Sequence, residues 1–230
     1  VAEGFHLLEE ALRSGLRVPV VLASPAAAGR VQQLLRGRAG TRLSQASAEL
    51  LARAGSTETT QGVIALVEPP APAPDDAFRA AGPVLVLDSV QDPGNAGAIA
   101  RAAEAFGAAG LLWMKGTVAR WNPKTLRSSA GSLFRLPAAE GLETDEVLLL
   151  LRRHGRRIYV AEPRQGLPPW RVDWREPCAL VIGNEAHGPR EEFRAAGAAV
   201  CIPTSGVESL NAAVAAAVLL YESMRQRGEK

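Results

Sequence analysis

Three polar, glycine-bearing loops hold the side chains whose types and spacing are able to do chemistry. The first follows an apolar run and reads DSVQDPGNAGAIARAAEAFGAAG. Pro93 and Gly94 make a turn there, Asn95 and Gly97 open a helix, and Arg101 follows on its second turn. Free N–H groups at a helix start attract phosphate. A dinucleotide fingerprint is a rival for this loop, but the G-x-G-x-x-G spacing is missing. The second loop is LVIGNEAHGP, in which Gly183, Asn184 and Glu185 end an apolar run and Gly188-Pro189 turns the chain into a helix. The third is IPTSGVESLN, in which Ile202 ends a run and Ser209, Leu210 and Asn211 precede a long apolar segment. Ser209 is placed to cap that segment as a helix, because its hydroxyl accepts from orphan N–H groups.

A further stretch, residues 115–135, carries charge. No acidic residue lies between Glu104 and Glu140, while Lys115, Arg120, Lys124, Arg127 and Arg135 interleave with Trp113, Trp121 and Phe134. Such a local positive field suits RNA, with phosphate contacts for affinity and exposed aromatics for stacking on bases.

Strands and helices must position these loops. From residue 83 the pattern alternates: strands at 84–88, 110–114, 157–161, 179–183 and 198–202, and helices at 97–106, 147–153 and 190–196. Alternation of this kind means an α/β fold with a mostly parallel sheet covered on both faces. Ligands then bind beyond the carboxyl ends of the strands. From Ala212 to Leu220 no residue is polar and five of nine are alanine, so that helix is expected to be buried nearly all round. Residues 1–68 read as a smaller α/β unit, with helices at 5–14, 26–36 and 44–54 and strands at 18–23 and 62–68. Between the halves, residues 69–82 open with four prolines in six residues, a stiff extended linker.

Composition limits the rest. The chain has 230 residues, is 47% hydrophobic and carries a net charge of +2, so bulk charge argues for no nucleic-acid partner. Cys178 and Cys201 are too few for a disulfide framework, and His6, His154 and His187 have no metal-ligand spacing, so no metal is expected. No signal peptide opens the chain, and no charge-free run of about 18 apolar residues suggests a membrane span. A reducing cytoplasmic setting fits. The chain begins on Val1, in what reads as the end of a strand entering a helix, so upstream residues are expected to be missing.

Taken together, DPGNAGAIARAAEAFGA, LVIGNEAHGP and IPTSGVESLNAAVAAA resemble the three ordered motifs of the SpoU/TrmH class of SPOUT methyltransferases. The resemblance covers about residues 83–227, within a methyltransferase domain expected to span 83–230. Through GFHLLEEAL and TTQGVIALVEPP, residues 1–68 resemble the L30e-like substrate-binding domain often found ahead of it. The resemblance implies transfer of a methyl group from S-adenosylmethionine to a ribose 2′-hydroxyl of RNA, more readily 23S rRNA than tRNA. It implies a deep C-terminal trefoil knot, among the rare exceptions to the no-knot rule. It also implies a homodimer. Asn95, Arg101, Glu185, Ser209 and Asn211 match the family's polar active-site set. Ala161, Gly183, Asn184, Ile202 and Leu210 fall where the family holds its cofactor. Arg101 is then expected to bind the substrate phosphate. The family picture also has it helping to remove the 2′ proton, although a guanidinium is almost always charged and is a poor base. Two alternatives compete: a catalytically silent RNA-binding protein on the same scaffold, and a nucleotide-dependent oxidoreductase. For the latter, Lys115-Gly116 stands after the second strand where a ribose-binding acid is needed.

Overall fold

The computed structural model describes residues 1–56 and 60–228. Thr59, the first residue of TTQGVIALVEPP, and the last two residues of the 83–230 span lie outside them.

The first half contains β1 (Ala2–Glu3), α1 (Phe5–Arg13), β2 (Val20–Ala23), α2 (Pro25–Leu34), β3 (Arg42–Gln45), α3 (Ala48–Ala54) and β4 (Val63–Leu66). Its four-stranded sheet has the order β1-β4-β2-β3, with β2 and β3 parallel and β4 antiparallel to β1 and β2. The helix expected from Ser44 is corrected here. Residues 42–45 pair with β2 as a strand, and the helix waits until Ser47, whose hydroxyl accepts from the Leu50 N–H at 3.2 Å. Backbone pairing with a neighbouring strand overrides the local helical preference.

The second half contains β5 (Val84–Leu87), α4 (Pro93–Ala105), β6 (Gly110–Met114), α5 (Pro123–Ser128), β7 (Ala138–Leu142), α6 (Thr144–Arg153), β8 (Arg157–Ala161), β9 (Cys178–Ile182), α7 (Glu191–Ala196), β10 (Ala198–Val200) and α8 (Ala212–Arg227). All six strands run parallel in the order β10-β8-β9-β5-β6-β7. The central strands β9, β5 and β6 read CALVI, VLVL and GLLWM and are buried at every position, as a sheet covered on both faces requires. Because every strand points the same way, the loops after β5, β8, β9 and β10 all emerge on one edge. The sequence did not signal α5 or β7; β7 reads AAEGL, with no clear alternation.

Other corrections concern ends and faces. Helix α4 begins at Pro93, earlier than 97, because Asp92 caps it and accepts from the Asn95 N–H at 2.8 Å. Helix α8 begins at Ala212, and its cap is Asn211, which accepts from Ala213 and Val214, and not Ser209. Nor is α8 buried all round: Ala216, Leu219 and Leu220 are inside, while Val214, Val218 and Tyr221 are 49%, 40% and 51% exposed. The linker is extended only at its start. Residues 74–78 form a 3-10 turn whose Ala77 and Phe78 pack into the core with Leu112 and Val147, and Arg156 donates to the carbonyls of Phe78 and Gly82.

Cys178 is buried, which pushes its thiol up to about 11. No helix among the described residues is long and apolar enough to cross a membrane.

Candidate active site

A cavity of about 730 Å³ opens at the shared strand edge. Ala161 and Glu162 reach it from the end of β8, residues 183–189 from the loop after β9, Ile202 and residues 208–211 from the segment between β10 and α8, and Ala212 from the start of α8. Ala161, Gly183, Asn184, Ile202 and Leu210 all line it. Ile182, Val200, Ala215 and Leu219 add apolar wall. Gly183 is buried with no room for a side chain: a Cβ there would lie 2.1 Å from the Pro189 nitrogen. Asn184 shapes the next turn. Its amide donates to the Ser89 carbonyl at 2.9 Å, and its Oδ1 accepts from the N–H groups of Ala186 and His187 at 2.9 and 3.1 Å.

The polar set divides. Glu185, Ser209 and Asn211 border the cavity. Asn211 donates its amide to Asn95 Oδ1 at 2.9 Å, and Asn95 donates its own to Glu185 Oε1 at 2.9 Å. Asn95, Glu185 and Asn211, distant in sequence, thus form one hydrogen-bonded chain linking all three loops. Ser209 is exposed on the cavity rim. Arg101 stands apart from that chain. It is exposed on α4, with no side-chain hydrogen bond or ion pair to any described residue.

Glu185 has a second task. Its carboxylate accepts from the backbone N–H groups of Gln91 and Asp92 at 3.1 and 3.2 Å, just ahead of α4. Burial alone would raise its pKa, but the Asn95 amide and then these N–H groups hold it below the ordinary carboxylate value. The N-terminus of α4, expected to be open to phosphate, is therefore covered by two carboxylates, Asp92 and Glu185.

Sequence reasoning missed a buried ion pair beneath this site. Asp88, fully buried at the end of β5, accepts from the Arg190 N–H at 2.7 Å and lies 3.1 Å from Arg190 Nε. The same guanidinium donates to Thr144 Oγ1, Ser89 Oγ and the Lys115 carbonyl. One arginine thereby ties the loops after β5, β6 and β9. Its only trace in the sequence is an acid closing the VLVLD run and an arginine just after the Gly188-Pro189 turn.

The basic stretch changes character. Lys115 pairs with Glu143 at 2.7 Å and Lys124 with Asp92 at 3.4 Å, both largely exposed. Arg120 is 5% exposed and donates to the carbonyls of Ala138 and Pro70. Arg127 and Arg135 face acids of the first half. Trp113 and Phe134 are core residues, and the Trp113 N–H donates to the Val118 carbonyl, so neither offers an open face for stacking. The field read from residues 115–135 is thus countered by acids from elsewhere in the chain. No group of three His, Cys, Asp or Glu among the described residues is able to hold a metal ion.

The family profile described as SpoU rRNA Methylase matches residues 82–221, and one described as RNA 2′-O ribose methyltransferase substrate binding matches residues 1–73. The chain belongs to the SpoU rRNA methylase family. Among its relatives is the 23S rRNA (guanosine(2553)-2′-O)-methyltransferase RlmP of Bacillus subtilis (strain 168), 33% identical over 95% of this chain and 86% of that protein. Another is the 23S rRNA (uridine(2479)-2′-O)-methyltransferase of Streptomyces viridochromogenes, 35% identical over 85% of this chain and 71% of that one. The crystal structure of the SpoU methyltransferase AviRb from Streptomyces viridochromogenes, in complex with AdoMet, superposes with a TM-score of 0.86 at 32% identity, covering 98% of this chain and 89% of that one. The loops that line the cavity are those of LVIGNEAHGP and IPTSGVESLN.

Proposed function

We propose that this chain transfers a methyl group from S-adenosylmethionine to a ribose 2′-hydroxyl of RNA, with 23S rRNA ahead of tRNA as the substrate. One observation carries the proposal: the cavity walled by Ala161, Gly183, Asn184, Ile202 and Leu210 is bordered by the Asn95–Glu185–Asn211 chain. Its size lies within the range of about 300–1,000 Å³ usual for cofactor sites. Its mixed walls also suit the cofactor. Ile202, Leu210 and Leu219 offer apolar contact, and Glu185 brings negative charge toward a sulfonium, while Glu162 and Glu208 are paired with Arg194 and Arg164. The relatives' printed activities on 23S rRNA support the substrate class.

The cofactor, when bound, supplies the electrophilic methyl carbon; the chain supplies placement and electrostatics. Glu185 is too committed to hydrogen bonds to act as a base. It anchors the loop and favours nearby positive charge. Asn95 and Asn211 hold the first and third loops in register with it, and Ser209 faces the ribose from the rim. Arg101, exposed and without a side-chain partner among the described residues, binds the substrate phosphate. Of the five basic residues, Lys115 and Lys124 each pair with a largely exposed carboxylate and are able to reach RNA by releasing it. A threaded C-terminal segment belongs to the proposal, supported by Gly183 and Leu210 sharing one cavity. So does a homodimer, supported by the exposed apolar stripe of Val214, Val218 and Tyr221 on α8. A cytoplasmic location goes with an rRNA substrate.

The test is Arg101→Ala. Methyl transfer to an rRNA transcript should be lost while calorimetric affinity for S-adenosylmethionine stays at the wild-type value. An equal loss of cofactor affinity would contradict the phosphate role. A wild-type chain that binds rRNA and cofactor but transfers no methyl group would favour the silent RNA-binding alternative.

A further inference from the structure

Two arginines read from the sequence as RNA contacts point at the first half of the chain instead. Arg135 places Nη1 2.5 Å from Glu10 Oε2 on α1, and its Nε and Nη2 lie 2.5 and 2.9 Å from the Glu104 carboxylate on α4. Glu10 is 8% exposed, and its other oxygen accepts from Arg13 at 2.9 Å. Gly131 packs on the stem of Glu10, where an added Cβ would lie 2.7 Å from Glu10 Cβ. Arg127, on α5, donates to Ser56 Oγ at 2.5 Å and stands 3.7 Å from Glu3 Oε2. That Glu3 oxygen, on β1, also accepts from the Ser56 N–H and hydroxyl, both at 2.9 Å. The two halves also share one apolar core that includes Leu8, Leu126 and Leu133.

Both arginines therefore bridge the family's substrate-binding half to its methyltransferase half, at two separate points. An RNA phosphate reaching Arg135 would have to displace two carboxylates already in place. We propose that Arg135 and Arg127 are positioning residues that lock the angle between the halves, so that RNA held by residues 1–73 presents its ribose to the cavity. Two directional polar contacts fix the angle more narrowly than non-directional apolar contact does. This proposal rests on the RNA-methyltransferase reading above.

Glu10→Gln separates this role from RNA contact by its sign. Neutralising an acid and releasing Arg135 from one of its two carboxylates, Glu104 remaining in place, should strengthen RNA binding and steepen its salt dependence if Arg135 touches phosphate. A positioning role predicts the opposite: KM for the rRNA transcript rises about tenfold while S-adenosylmethionine affinity holds. Arg135→Ala and the double variant should then show the same loss as Glu10→Gln alone, because each breaks one shared bridge. Small-angle scattering, which needs no activity, should show a broader distribution of distances between the halves. Tighter RNA binding by Glu10→Gln, additive losses, or unchanged scattering would overturn the proposal. An inactive wild type would sink the functional reading while the scattering still decided the bridge. If Glu10→Gln unfolds the chain, Arg127→Ala and Ser56→Ala repeat the cycle at the second point with the same outcomes.

Discussion

Replacing Gly183 by alanine offers a sharp test of the cavity. An added Cβ would lie 2.1 Å from the Pro189 nitrogen, 2.3 Å from the Gly188 carbonyl carbon and 2.5 Å from Pro189 Cα. Ordinary carbon contacts sit at about 3.5–4.0 Å, so the backbone of residues 188–189 must retreat by roughly 1 Å or more. No flexible side chain is available to yield instead. The Gly188 carbonyl accepts from the Asn184 N–H at 3.1 Å, so the retreat pulls on the turn that carries Asn184 and Glu185. Overpacking of this kind costs about 1–3 kcal/mol. In a chain of this size that lowers Tm by about 2–12 °C. If the strain falls on the cofactor loop, affinity drops about 5- to 150-fold. Calorimetric titration with S-adenosylmethionine and a thermal melt measure the two effects. Gly29→Ala is the control: it lies in α2 with open space around its Cβ direction, and helix propensity alone should stabilise it by up to about 1 kcal/mol. A Gly183→Ala chain that melts and binds cofactor like wild type would refute the packing argument.

Glu185 should make stability depend on pH. Its folded pKa is held below the ordinary value, so its contribution is present above the unfolded carboxylate pKa of about 4.3 and is lost as pH falls through the folded value. Glu185→Gln should accordingly be less stable than wild type at neutral pH, with the gap closing in acid; urea melts showing a pH-independent gap would count against this. Val218 lies in the exposed stripe of α8 with Val214 and Tyr221. Wild type is expected to sediment as a dimer and Val218→Glu as a monomer, whereas a monomeric wild type would remove the stripe as an interface.

Much of the second half was legible because buried parallel strands are written as apolar runs. CALVI, VLVL and GLLWM announce themselves, and the polar loops at their ends mark the functional edge. The misreadings share a cause. Ser44 looked like a helix start because the partner strand that claims residues 42–45 lies more than twenty residues earlier. Ser209 looked like a cap because Asn211, two residues on, is equally able to cap, and only the path of the loop chooses. Residues 115–135 looked like a free positive field because Glu3 and Glu10, which meet Arg127 and Arg135, come over a hundred residues before them.

The sequence by itself therefore determined the fold class, the central strands of the second half and which loops carry the polar residues, since each of these is a local property of periodicity and turn chemistry. Only the tertiary structure decided that Asn95, Glu185 and Asn211 touch, that Asp88 and Arg190 pair beneath them, and that α8 leaves one apolar face open. Hydrogen bonds and ion pairs act over about three ångströms of space. Chain distance says little about which groups will come that close until the sheet order has brought the strand ends together.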